Sequence, residues 1–344
     1  MAKKSRHSTA TRFQNTTAHA MTHADMVSVL KWQAQKRRVD PISFPVETQD
    51  HPWLVQNRQR STLTWIGHAT FLIQHNGLNI ITDPHFSKRA SPVQFAGPKR
   101  TTPPAMDITS LPTIDVVVIS HDHYDHLDEQ SVLAIVEKQK EHEPLFMVPL
   151  ALGAWLTKRG IYNWVELDWW QSYEFLGWRF TAVPVQHFSG RGLQQNKTLW
   201  AGWVLESAIE FPETSKRFFF AGDTGYSNDF RDIRERMGAM DVSLIPIGAY
   251  EPRWFMKCMH VNPEEAVKIH LDVKSRFSVG MHWGSFVLTD EPMDEPPKAL
   301  ENAKLKYGLS ANEFTVLTHG QVFDLESVLQ RNQTKEAHDE TIAY

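Results

Sequence analysis

Eight consecutive residues, His121-Asp122-His123-Tyr124-Asp125-His126-Leu127-Asp128, carry three histidines and three carboxylates. So many ionisable groups in one short run are costly unless something organises them. Neutral imidazole and carboxylate together form a donor set that suits zinc, manganese or iron(II). The run directly follows the β-branched residues 116–119, which read as a buried strand. A strand that ends in a tight loop can send His121 and His123 one way and Asp125 and His126 another, so one segment can serve neighbouring metals.

Three further positions share that context. Phe218-Phe219-Phe220-Ala221-Gly222-Asp223-Thr224-Gly225 delivers one aspartate from an apolar strand into a Gly-flanked turn. Asp223 alone could be an Asx-turn residue; beside the histidine cluster it is better placed as a bridging metal ligand. His187 follows the strand pattern of residues 180–186, and His282 that of residues 277–281. Four separate strands thus end in a metal-competent residue, and converging strand ends are how a sheet builds a site. His51, His75, His142, His270 and His319 lack such company and read as core or surface residues.

The elements needed to hold these residues fit in a chain of 344 residues, long enough for a full hydrophobic core. Hydrophobic content of 41% and charged content of 22% match ordinary soluble domains. Cys258 is the only cysteine, which excludes an internal disulfide and any zinc site built on two thiolates of this chain. A net charge of -4 from 36 basic and 40 acidic residues supplies no bulk attraction for nucleic acid, so no nucleic-acid partner is expected. No run of about 18 apolar residues occurs, and the N-terminus lacks the apolar stretch of a secretory signal. The expected location is cytoplasmic, with peripheral contact to membrane left open.

Residues 1–23 are polar and read as a disordered leader. Residues 24–60 form an arm, with an amphipathic helix pattern at 26–38 followed by Pro41, Pro45 and Pro52. Residues 61–320 form the main domain and 321–344 a loose polar tail. Within the domain Asn76-Gly77 marks a hairpin, residues 85–112 a long loop, and Asn262-Pro263 the start of a helix. About a dozen short strands with interspersed helices suit an α/β layered fold of two sheets covered by helices.

With these residues in hand, the chain resembles the metallo-β-lactamase fold superfamily, whose His-x-His-x-Asp-His motif stands here as residues 121–126, followed in order by His187, Asp223 and His282. Within it the chain is similar to the N-acyl-phosphatidylethanolamine-hydrolysing phospholipase D branch. The similar stretches are Thr64-Trp65-Ile66-Gly67-His68-Ala69-Thr70, Ala221-Gly222-Asp223-Thr224-Gly225-Tyr226, Pro246-Ile247-Gly248-Ala249-Tyr250-Glu251-Pro252-Arg253-Trp254-Phe255-Met256 and His282-Trp283-Gly284. The resemblance implies an αββα sandwich of two mixed sheets flanked by helices, with two Zn2+ ions, Mn2+ or Fe2+ being chemically suitable too. His121, His123 and His187 would hold one ion and Asp125, His126 and His282 the other, with Asp223 bridging.

The activity it implies is a zinc-dependent phosphodiesterase of phospholipase D type, acting on N-acyl-phosphatidylethanolamine or a related phospholipid to give phosphatidic acid and an N-acylethanolamine. Asp125 and Asp223 would help to accept the proton of the attacking water, and a protonated His260 is a candidate donor to the leaving alkoxide. His68, Tyr124, Tyr250, Glu251, Arg253 and His260 are candidates to touch the ligands or the substrate. The alternative is a metal-dependent hydrolase of a lactone, lactam or other small ester or phosphodiester. A lipid substrate implies a route from the bilayer, with residues 26–38 or Trp254-Phe255-Met256 at the interface. The twelve tryptophans fit an interfacial habit. Homodimerisation is left open.

Overall fold

The computed structural model describes residues 12–17, 26–48, 52–192, 194–211 and 214–330. Strands β1 (Thr62–Gly67), β2 (Thr70–His75) and β3 (Leu78–Thr82) are buried at every residue except His75, so this sheet is covered on both faces. With β4 (Val116–Val118), β5 (Leu145–Pro149) and β6 (Trp164–Leu167), successive residues alternate between two cores, as the period of a strand requires. Phe71, Ile73, Ile80, Val116, Val118, Leu145 and Met147 enter the larger core, whereas Leu72, Ile81, Val117, Phe146 and Val148 enter a smaller one. Helices Glu129–Lys138 and Gly153–Thr157 close the smaller core with Val132, Ile135 and Leu156.

The chain then forms β7 (Ser172–Phe175) and β8 (Trp178–Val183), and a small ribbon of β9 (Gly190–Arg191) and β10 (Gln194–Gln195). After these come β11 (Gly202–Glu206), β12 (Arg217–Phe220), β13 (Val242–Pro246), β14 (Phe277–Met281) and β15 (Phe314–Thr315), and β16 (Val322–Asp324) returns beside β1. The two seven-stranded sheets run β16-β1-β2-β3-β4-β5-β6 and β15-β14-β13-β12-β11-β8-β7. Both are mixed: β3 to β6 and β12 to β15 pair in parallel, the remainder antiparallel. Helices Asp229–Met237, Pro263–Asp272 and Glu295–Tyr307 add Phe230, Ile233, Val267, Ile269 and Leu300 to the larger core. The result is the layered arrangement of two mixed sheets between helices. Asn262 caps its helix as the sequence predicts, with Glu265 completing a capping box and Pro263 in the first turn.

Two expectations need correction, and one is narrowed. Residues 12–17 of the expected leader are seated on the domain, because Phe13 packs on the larger core and Asn15 and Thr16 hydrogen-bond to it; the rest of that segment lies outside the described residues. The expected tail supplies β16 and the helix Glu326–Gln330, since Leu325 is fully buried between them; residues 331–344 lie outside the described residues. Trp65, Trp178, Trp200 and Trp203 are fully buried. The indole N–H groups of Trp65, Trp200 and Trp203 donate to backbone carbonyls, so these rings serve the core and not an interface.

The arm lies against the domain: Val46 bridges His319, and Phe44 meets Trp283 edge-on at 5.1 Å between centroids. No helix among the described residues is long and apolar enough to cross a membrane.

Candidate metal centre

The chemistry-bearing residues emerge where strands give way to loops. β4 leads to His121, His123, Asp125 and His126, β8 to His187, β12 to Asp223, and β14 to His282. In open mixed sheets, ligands sit beyond such carboxyl ends. Asp128 stops the loop at residues 121–127 by capping the next helix through the Ser131 N–H. Gly222 lets β12 turn sharply into Asp223: its φ is +59° and a Cβ there would lie 2.6 Å from Ser120 Cβ, so no larger residue fits without displacement.

Hydrogen-bond partners fix which imidazole nitrogens face the centre. Ser120 Oγ donates to Asp83 Oδ2 at 2.5 Å and therefore accepts from His121 Nδ1 at 2.9 Å. His126 Nδ1 donates to the same Asp83 oxygen at 2.6 Å, and His187 Nδ1 to Met259 O at 2.9 Å. These partners leave the Nε2 lone pairs of His121, His126 and His187 free to bind a cation. His123 Nδ1 lies 2.8 Å from His121 Nε2 and 3.3 Å from His187 Nε2. Two nitrogens on one tetrahedral zinc stand about 3.3 Å apart, given bonds of about 2.0–2.1 Å.

A second set surrounds Asp125, whose Oδ2 lies 3.0 Å from His68 Nε2, 3.3 Å from His282 Nε2 and 3.5 Å from His126 Nε2. Asp223 stands between the sets. Its Oδ2 is 3.8 Å from His187 Nε2, 3.9 Å from His121 Nε2 and 3.1 Å from His126 Nε2, and its Oδ1 is 3.1 Å from His282 Nε2. Donor atoms of His121, His123, His187 and Asp223 all fall within 4.8 Å of one another, as do those of His68, Asp125, His126 and His282. Despite this crowding, His126 Nε2 and Asp223 Oδ1 are buried with no aligned hydrogen-bond partner. Ligand atoms that converge this closely in a buried site could hold a pair of cations in place of the protons they share.

The electrostatics point the same way. Burial alone would push His126 and His282 down, but Asp223 and Asp125 outweigh it, holding His126 well above the usual imidazole range and His282 at about 9. Burial likewise disfavours ionised Asp125 and Asp223, yet the surrounding histidines hold both well below the usual carboxylate range. His121 and His187 are kept well below their ordinary value, mainly by burial. Protons on His126 and His282 thus balance two buried carboxylates, a balance that metal ions would supply in their place.

Of the other candidates, His68 is fully buried and touches Asp125, and its ring lies 4.0 Å from that of His282. His260 Nδ1 is 3.9 Å from Asp223 Oδ2 and has no hydrogen-bond partner. Burial pushes His260 down to about 4, which favours the neutral ring over the protonated donor of the sequence reading. Arg253 donates to the carbonyls of Tyr250 and His260 and pairs with Glu265 at 2.6 Å, framing the 250–260 loop. Glu251 accepts from the Arg253 N–H. Tyr250 and Glu251 line a cavity of about 530 Å³ with Trp254, Arg37 and several carboxylates. Tyr124 lies under the Arg191 guanidinium, 4.2 Å from its centroid, beside a cavity of about 370 Å³.

Two supporting residues escaped the sequence reading. Asp83 looked like an ordinary strand-ending Asp-Pro; the only hint was its place at the end of a buried strand. Asn15 sat in a polar stretch with no periodicity.

Residues 78–283 match the family described as the beta-lactamase superfamily domain. The chain is 40% identical over 274 residues to N-acyl-phosphatidylethanolamine-hydrolyzing phospholipase D 1 of Caenorhabditis elegans, covering 76% of this chain and 75% of the relative. It is 44% identical over 246 residues to an uncharacterized protein of Mycobacterium tuberculosis, covering 70% of this chain and 63% of that protein. Among solved structures, a possible metal-dependent hydrolase from Veillonella parvula superposes with a TM-score of 0.61 at 15% identity, over 77% of this chain and all of the other.

Proposed function

The chain belongs to the metallo-β-lactamase superfamily, and from that premise we propose that it is a binuclear zinc phosphodiesterase of phospholipase D type. Its substrate would be N-acyl-phosphatidylethanolamine or a related phospholipid, cleaved to phosphatidic acid and an N-acylethanolamine. The observation that carries this reading is the assembled donor set of His121, His123, Asp125, His126, His187, Asp223 and His282, in a chain with 40% identity to a named phospholipase of this type across three quarters of both proteins.

His121, His123 and His187 would hold one ion, Asp125, His126 and His282 the other, and Asp223 would bridge them. Ions so held would lower the pKa of a shared water and neutralise charge on a phosphoryl group. Asp125 and Asp223, held ionised by their histidine neighbours, can accept the proton given up by the attacking water. His68 fixes the Asp125 carboxylate and Asp83 fixes His126, so neither ligand has to reorganise during turnover. Neutral His260, beside Asp223, is suited to orient a phosphoryl oxygen or water by hydrogen bonding and not to deliver a proton at neutral pH.

A bilayer substrate also needs a docking face. Trp32 of the helix Met26–Gln35 stacks on Phe255 with centroids 5.4 Å apart, and Lys31 lies over Trp254. The two candidate interfacial segments therefore form one surface, with Val27, Leu30 and Trp254 exposed and Lys31 and Lys36 over the rings, beside the cavity that Arg37 and the carboxylates line. That combination supports peripheral binding to anionic membrane.

Purified protein with zinc, given fluorescent N-acyl-phosphatidylethanolamine vesicles and in parallel a lactone and a simple phosphodiester, tests the proposal. Release of phosphatidic acid is expected, and turnover of the lactone alone would overturn the phospholipid assignment.

A further inference from the structure

We propose that Asn15 is a positioning residue for His187, acting from an N-terminal segment that lies outside the matched superfamily region. The inference rests on His187 being a metal ligand, as argued above. Asn15 Nδ2 donates to His187 O at 2.9 Å, and the His187 N–H donates to Asn15 Oδ1 at 3.1 Å. The carboxamide thus pairs with both polar groups of one residue's backbone, as a neighbouring strand would. His187 is 1% exposed, so neither group has water to fall back on, and leaving them unpaired would carry the full desolvation cost.

The segment is held on either side of this contact. The Phe13 N–H donates to Asn196 O at 2.9 Å while its ring packs on the core, and Thr16 Oγ1 donates to Asp229 Oδ1 at 2.5 Å. The Trp200 indole N–H, shared with Val185 O at 2.9 Å, also reaches the same Asn15 oxygen at 3.1 Å and helps to aim the carboxamide. The preceding residue is fixed independently, since the Gln186 N–H donates to Thr224 Oγ1 and the Gly225 N–H to Gln186 O. Among the described residues, the backbone polar groups of His187 pair with Asn15 alone, while its ring is held at Nδ1 by Met259 O and faces His123 at Nε2. Where that ring points depends on the backbone from which it projects, and Asn15 holds that backbone.

Metal uptake separates this role from a general contribution to folding. Metal-free protein is titrated with Co2+, following the visible absorption bands, for wild type, Asn15→Ala and Asn15→Asp. Wild type takes up two equivalents. Asn15→Ala weakens one equivalent about tenfold, the lower end of the effect seen when a ligand's supporting partner is removed, and leaves the other within about twofold. Asn15→Asp keeps the acceptor for His187 and Trp200 but sets a carboxylate oxygen against the His187 carbonyl, so it weakens the same equivalent at least as much, which keeps the test open if the alanine variant does not fold. Two unchanged equivalents, or two that weaken together, would overturn the proposal. A wild-type chain that binds no Co2+ would overturn the metal-centre reading, and this inference with it.

Discussion

Asp83 Oδ2 lies 2.6 Å from His126 Nδ1, and both side chains are sealed from solvent. The same carboxylate accepts from the Ser120 N–H and hydroxyl, and Ser120 in turn accepts from His121. One buried group therefore sets two imidazoles, one in each half of the site. Asp83→Asn retains the shape but turns an NH2 toward one of these donors. The expected result is a loss of about 10–100-fold in metal affinity or activity, partly recovered in excess zinc; an unchanged zinc affinity would show that the contact does not orient the ligands.

The metal-free protein should lose stability as pH rises from about 6.5 to about 9. His282 titrates at about 9 in the folded chain and at about 6.5 when unfolded. Folding favours its charged form, so its contribution is complete below about 6.5 and gone once pH passes about 9. His126 is raised as well and adds in the same direction. The histidines lowered by burial act below about 6.5 and do not oppose this trend. Urea midpoints at three pH values check the slope, and the metal-loaded protein should not share it because the ions replace these protons.

Val27→Glu with Leu30→Glu removes two exposed apolar groups, at 76% and 62% exposure. Burying one such side chain in lipid is worth about 1.5 kcal/mol, so binding to anionic vesicles should weaken about tenfold or more in a sedimentation assay. Turnover of a soluble short-chain phosphodiester should stay within about twofold. Equal loss on both substrates would place the defect in folding and not in docking.

Gly222→Ala forces a side chain into a left-handed position 2.6 Å from Ser120 Cβ. Conformational cost and overlap together should destabilise the fold by about 2–4 kcal/mol, and metal content should fall because Ser120 and Asp223 are pushed apart. A variant with wild-type urea midpoint and metal content would show that this turn does not constrain the site.

The candidate ligands were legible because each combines a metal-competent side chain with a buried strand, and strand periodicity survives in a single sequence. His260 was readable as a candidate, but its charge state was not, since burial is a property of the assembled loop. Asp83 and Asn15 act through bonds to residues 43 and 172 positions away, and no local pattern encodes such a partner. β16 was read as tail because three residues, Val322–Asp324, are too few to show alternation. Which of the twelve tryptophans are buried was not legible, because an indole with a buried carbonyl for its N–H and one at a lipid surface look alike in sequence.

Anomalous diffraction at the zinc edge from crystals grown with zinc tests the central claim most directly. Two peaks about 3.5–4 Å apart are expected, one among His121, His123 and His187, the other among Asp125, His126 and His282, with Asp223 between them. A single peak, or peaks away from these seven residues, would contradict it.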